Sequence, residues 1–119
     1  MVPNTQKDLG KRAIEVPSRV VIIWNRSYEE LDDIMRDAIN KYDMWLFRII
    51  CNSKESLGYK WAAAHGAPVE FLIENDMERL LDKMAASADL LICSFDGKNQ
   101  LVRRLIMKFK SLGKHGVVR

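Results

Sequence analysis

The stretch Arg19–Tyr42, RVVIIWNRSYEELDDIMRDAINKY, changes its hydrophobic period part-way along, and that change decides the fold. Val20 to Trp24 is a continuous apolar run rich in β-branched residues, the pattern of a strand covered on both faces. Beyond Ser27 the period becomes helical. Tyr28, Leu31, Ile34, Met35, Ala38, Ile39 and Tyr42 recur on one side, with Asp32, Asp33, Arg36 and Lys41 on the other. Ser27 and Glu30 stand three positions apart, the spacing of a capping box in which each side chain satisfies a free backbone N–H of the first turn.

The same unit repeats along the chain. Trp45 to Ile50 predicts a second strand, and Asn52 with Glu55 a second capping box before a helix through Leu57, Trp61 and Ala64 that stops at His65-Gly66. Pro68 to Ile73 predicts a third strand, and Asn75 with Glu78 opens a helix through Met77, Leu80, Leu81 and Met84. Asp89 to Phe95 is a fourth strand. A last helix spans about Asn99 to Leu112 and ends at Gly113, with a short fifth strand at Val117-Val118. Strands alternating with helices over short loops give a parallel sheet covered on both faces, because a parallel crossover needs a helix-sized connection. Right-handed crossovers favour the strand order 3-2-1-4-5. The expectation is a three-layer α/β, Rossmann-like domain over residues 19–119. Residues 1–18 are polar, carry Pro3, Gly10 and Pro17 and show no period, so they read as an extended or mobile arm.

With 119 residues, 48% of them hydrophobic and 29% charged, the chain has the size and composition of one globular domain. No apolar run approaches the ~20 residues of a membrane span, and the first residues lack the apolar stretch of a secretory signal, so a cytoplasmic location is expected. Two cysteines make no disulfide framework, and two distant histidines make no zinc pattern. Cys51 and Cys93 fall on strands separated by the first, which puts their backbones ~10 Å apart, beyond disulfide reach. A net charge of +3 permits an anionic partner without demanding nucleic acid.

In the order 3-2-1-4-5, ligands sit beyond the carboxyl ends of the strands, where the connections reverse between the first and fourth. That position is occupied by Trp24-Asn25-Arg26-Ser27 and by Phe95-Asp96-Gly97-Lys98-Asn99, with Cys51-Asn52-Ser53 flanking.

These residues resemble a family. VVIIWNRSYEEL, ICNSKESLGYKWAAAHGAPVEFL, ADLLICSFDGKN and LGKHGVV, in that order, are similar to the SLOG superfamily of Rossmann-like nucleotide-binding proteins, specifically the small YspA/YpsA-related group near the lysine-decarboxylase-like and DprA-like proteins. The resemblance covers residues 19–119 and implies a bacterial or phage protein that binds a nucleotide-derived small molecule, often as a homo-oligomer. Asn25, Arg26, Ser53, Asp96, Gly97 and Lys98 are the residues that would line its crevice. No cofactor and no metal is expected, and with no nucleophile, base and orienting group to assemble from the sequence the reading leans away from catalysis. Arg26 keeps the arginine of the family's Gly-x-Arg turn, Trp61-Ala62 matches its Trp-Ala pair, and Ala88-Asp89 with Phe95-Asp96-Gly97-Lys98 matches the fourth strand. Where the family opens its last helix with a Gly-Thr step under a phosphate, this chain has Leu101-Val102, which adds bulk and offers no hydroxyl donor. The Gly-Gly-x-Gly-Thr-x-x-Glu signature of the hydrolase members is missing.

Each candidate also has a plainer reading. Arg26 matches a phosphate or carboxylate bidentately, or pairs with Glu29 or Glu30. Asp96 accepts a ribose hydroxyl, or more simply bonds its own turn. Asn99 caps the last helix. Trp24 stacks on a base, or, as favoured, fills the space left by missing glycines or packs at an interface. Arg103, Arg104 and Lys108 form a basic stripe that suits a nucleic-acid backbone, though such a stripe is commonly a solvated face. His65 fits a helix-end cap. Two other functions stay open: a glycosidic-bond enzyme using Glu55 or Asp96, and a protein-interaction or nucleic-acid scaffold that has lost its phosphate site.

Overall fold

A computed structural model describes residues 16–119 of the chain, so all but Val16, Pro17 and Ser18 of the arm expected at 1–18 lies outside the described residues. The described residues form β1 (Arg19–Ile23), α1 (Tyr28–Tyr42), β2 (Arg48–Cys51), α2 (Leu57–His65), β3 (Val69–Phe71), α3 (Met77–Ser87), β4 (Leu90–Cys93), α4 (Gln100–Ser111) and β5 (His115–Val118). All four strand pairings are parallel, and the order is β3-β2-β1-β4-β5, as the crossover rule requires.

The period-two alternation of the central strands divides the core in two. Val20, Ile22, Ile49, Leu90 and Ile92 pack under Leu31, Met35 and Ala38 of α1 and Trp61 and Ala62 of α2. Val21, Ile50, Leu91 and Cys93 face the other way, onto Leu80, Leu81 and Met84 of α3 and Val102, Leu105 and Phe109 of α4. Cys51 belongs to the first cluster and Cys93 to the second, so the thiols point to opposite faces and both are free.

The amino edge of the sheet is pinned by Asp89. Its Oδ2 accepts from the Ser18 N–H, the Ser18 hydroxyl and the Arg19 N–H at 3.0, 3.0 and 3.1 Å, which sets β1 against β4.

Two helix starts differ from the expected ones. α1 begins as predicted, with the Ser27 hydroxyl accepting from the Glu30 N–H. α2, however, is capped by Ser56, whose hydroxyl accepts from the Tyr59 N–H, and not by Asn52 with Glu55. α3 is capped by Asp76 rather than Asn75. Both loops hold several residues able to cap, and tertiary contact selects among them. For α2 that contact is Gly58: a Cβ there would lie 2.9 Å from the Ile22 Cβ, so the helix approaches β1 too closely for any side chain. Strand ends also contract. β2 starts at Arg48 rather than Trp45, because its pairing with β1 begins at Arg19↔Arg48 and leaves nothing for residues 45–47 to join. β3 keeps only Val69–Phe71 of the run from Pro68 to Ile73, and β4 only Leu90–Cys93.

Replacing Gly58 by valine gains little in helix propensity and forces three carbons against β1. We expect Gly58→Val to cost about 2–3 kcal/mol in urea unfolding, whereas the same change at the exposed Ala63 stays within about 1 kcal/mol.

Candidate functional site

β1 and β4 pair through to Ile23↔Cys93, so the loops that follow them leave the sheet side by side. The loops are tied by Ser94, the one buried polar residue among those described. Its Oγ accepts from the Asn25 N–H at 2.9 Å and donates to Asn25 Oδ1 at 2.6 Å. Asn25 therefore stands where the sequence places it, but its side-chain oxygen is already engaged. Next to it the Arg26 guanidinium pairs with Glu30 and sits 6.0 Å from the Trp24 ring centroid. Trp24 is only 8% exposed and its indole N–H donates to the Ser27 carbonyl, so it fills the space beneath the crevice.

The turn after β4 is closed on itself. Asp96 Oδ1 accepts from the N–H groups of Lys98 at 2.7 Å and Asn99 at 3.0 Å, and Gly97 takes the left-handed φ of 83° that the turn requires. These two N–H groups hold the Asp96 carboxyl below the usual carboxylate range. Asn99 Oδ1 in turn accepts from Leu101 and Val102, and its carbonyl from the Arg103 N–H. A phosphate approaching this helix start finds the N–H groups of Lys98, Asn99, Leu101 and Val102 taken by Asp96 and Asn99. Ser53 likewise organises its own loop, accepting from the Glu55 N–H with its hydroxyl and from the Ser56 hydroxyl with its carbonyl.

What opens at this edge is apolar. A notch of about 190 Å³ lies between the starts of α3 and α4, lined by Ile23, Met77, Leu80 and Leu101 among others, with Asn52 and Asn99 as its polar residues. Met77 and Leu101, at 45% and 39% exposure, form its lip. Leu101 thus forms one wall of the notch.

The basic stripe of α4 is answered by its neighbours. Arg104 pairs with Glu78, Lys108 Nζ lies 2.5 Å from Asp82, and the Arg103 guanidinium donates to the Gly97 carbonyl and covers the Phe95 ring. Lys114 donates to the Ala85 and Ala86 carbonyls near the end of α3. The Arg104 and Lys108 pairs fasten α4 to α3, and Arg103 closes on the loop before its own helix. His65 is structural: Nδ1 lies 2.9 Å from the Trp61 carbonyl, Nε2 3.2 Å from Asp32, and the ring stacks on Trp61. Among the described residues no group of His, Cys, Asp and Glu could hold a metal ion, and no helix is long and apolar enough to cross a membrane.

Burial pushes the Cys93 thiol up to about 11, and raises Cys51 as well, against the lowering effect of its bond with Ser56. Neither is poised as a nucleophile.

Sequence reasoning missed two features. Ser94 could have been suspected as the polar residue ending an otherwise apolar strand. The second is a groove of about 1080 Å³ along the amino edge, lined by Arg19, Arg36, Trp45, Leu46, Phe47, Arg48, Trp61 and His65 among others. Reading Trp45 and Leu46 as strand concealed it.

Comparison of the chain with protein-family models, curated proteins and solved structures found no match in any of the three.

Three outcomes follow. Ser94→Ala removes both hydrogen bonds that tie Asn25 to the β4 end and, at about 0.5–1.5 kcal/mol each, should cost about 1–3 kcal/mol in urea unfolding. An aromatic disulfide reagent at pH 8 should label neither thiol until the chain is unfolded. Because the folded Cys93 pKa lies above its ordinary 9.0, the native state holds the proton more tightly. Its contribution to stability is full below pH 9 and is lost as pH rises through about 11.

Proposed function

We propose that the protein is a non-catalytic, cytoplasmic recognition domain that binds a nucleotide-derived small molecule at the β1/β4 crevice, and that it grips the planar base end rather than a phosphate. The observation that carries this reading is the apolar notch between α3 and α4, which reaches the sheet at Ile23, the end of β1, and carries amide side chains at Asn52 and Asn99. A slot with apolar walls and a few polar groups suits a heteroaromatic ring. The occupied donors of the Asp96–Asn99 turn argue against phosphate as the main handle. Lys98, in the turn just before α4, is the cation left to meet any charge the ligand carries outside the slot, since Arg26 is paired with Glu30. Kinship with the SLOG superfamily belongs to the same proposal, supported by the strand order and by the Phe95-Asp96-Gly97-Lys98 turn.

The enzymatic reading has less support, since Asp96 is held by backbone donors and the Glu55 side chain stands exposed. A nucleic-acid role for Arg103, Arg104 and Lys108 is weakened by their internal partners.

A melting-shift panel of nucleobases, nucleosides and nucleotides tests the proposal. A ligand at about 100 times its dissociation constant adds ~2.7 kcal/mol, roughly 10 °C for a chain of this size. Nucleosides should shift the melt as far as their phosphates do, and Leu101→Asp at the lip should abolish the shift. A flat panel, or a shift indifferent to Leu101→Asp, overturns it.

A further inference from the structure

A groove of about 1080 Å³ lies at the opposite end of the sheet from the crevice, and its make-up is distinctive. Its floor is aromatic and aliphatic, with the Phe47 and Trp61 rings stacked at 6.2 Å and the Trp61 and His65 rings at 4.3 Å. At its margin Trp45 is 82% exposed and Leu46 88%. Two large apolar side chains standing together in water mark a contact surface, and tryptophan and arginine are the residue types that dominate such contacts. Trp45 is also held in place. α1 ends at Asp43 in the left-handed conformation, φ 55°, and the Asp43 carboxylate accepts from the Trp45 indole N–H at 3.2 Å. A partner would meet an indole already anchored by that bond, which lowers the ordering cost of binding.

Charge identifies the partner. Every fully charged residue lining the groove is cationic: Arg19, Arg36 and Arg48, with side chains 42%, 70% and 52% exposed. Arg36 contacts Asp32 at 3.0 Å through one nitrogen, and Arg48 reaches Glu70 only at 3.7 Å, so both guanidinium groups keep donors free to turn toward the groove. Because Asp32 and Glu70 offset two of the three charges, the local field is too weak for a polyanion held mainly through its backbone. We infer that the amino-edge groove docks a protein segment that places a bulky apolar side chain against Trp45 and Leu46 and carboxylates on Arg36 and Arg48.

Panning the full chain against a random dodecapeptide display library tests this. Enriched peptides should carry Asp or Glu within a few residues of Leu, Ile, Phe or Trp. A synthetic peptide from that set should lose at least tenfold in affinity to Trp45→Ala, a change at an exposed position whose fold is checked by circular dichroism. Arg36→Glu should weaken binding similarly, and exchanging the peptide's acidic residue for lysine should restore it. The inference is overturned if no peptide is enriched, or if enriched peptides ignore both substitutions. It is equally overturned if a dT20 oligonucleotide binds in a Trp45-dependent way while acidic peptides do not. Sedimentation showing a dimer that Leu46→Asp dissociates would assign the groove to a second copy instead. None of these results depends on whether a nucleoside binds at the other edge.

Discussion

Burial of β1 on both faces and both edges is the constraint from which the other features descend. Val20 and Val21 are wholly buried and Ile22 nearly so, with β2 on one side and β4 on the other. Each such side chain contributes roughly 1.5–3 kcal/mol of burial free energy, so a slip in register would transfer several of them between the two core clusters at once. Asp89 removes that freedom by bonding the main chain at Ser18 and Arg19. With β1 fixed centrally, the loops after β1 and β4 must emerge together, and a crevice between them is a product of topology before any ligand is considered.

Topology supplies the crevice but not its chemistry. Free N–H groups at a helix start attract an anion only when nothing local has claimed them. Here Asp96 claims two and Asn99 two more, so the turn carries its own carboxylate where an exogenous oxyanion would otherwise sit. Leu101 and Val102 follow from the same situation. Side chains there add apolar wall and core: Val102 is buried against α3 and Leu101 lines the notch.

The fold was legible because it rests on periodicity, which survives any choice of cap or loop. The strand order came from the run Val20–Trp24 and its repeats, and α1 and α4 started where Ser27 and Asn99 indicated. What sequence could not settle were choices among equivalent local partners. Asn52, Ser53 and Ser56 can each cap a helix, and only the closeness of Gly58 to Ile22 shows which does so. The candidate site was legible as a place: Asn25 and the Asp96–Lys98 turn stand where the strand ends predict. Its chemistry was legible where partners are local, as at Asp96 with the Lys98 and Asn99 amides and Arg26 with Glu30, and hidden where the partner lies far off in sequence, as with Ser94 and Asn25, 69 residues apart.

The strand that proved shorter than its apolar run carries the wider lesson. Hydrophobic length exceeding what pairing can use is ordinarily trimmed by selection, since exposed tryptophan and leucine invite nonspecific association. At Trp45 and Leu46 the surplus stays, outside β2, in a loop fixed by the Asp43 cap and beside cationic side chains. The two ends of the sheet have therefore diverged in character. At the carboxyl edge polar groups close on one another around a small apolar slot, while at the amino edge apolar groups remain open among arginines with donors to offer. Both concavities contact the rigid central sheet, the notch through Ile23 of β1 and the groove through Arg19 and Arg48.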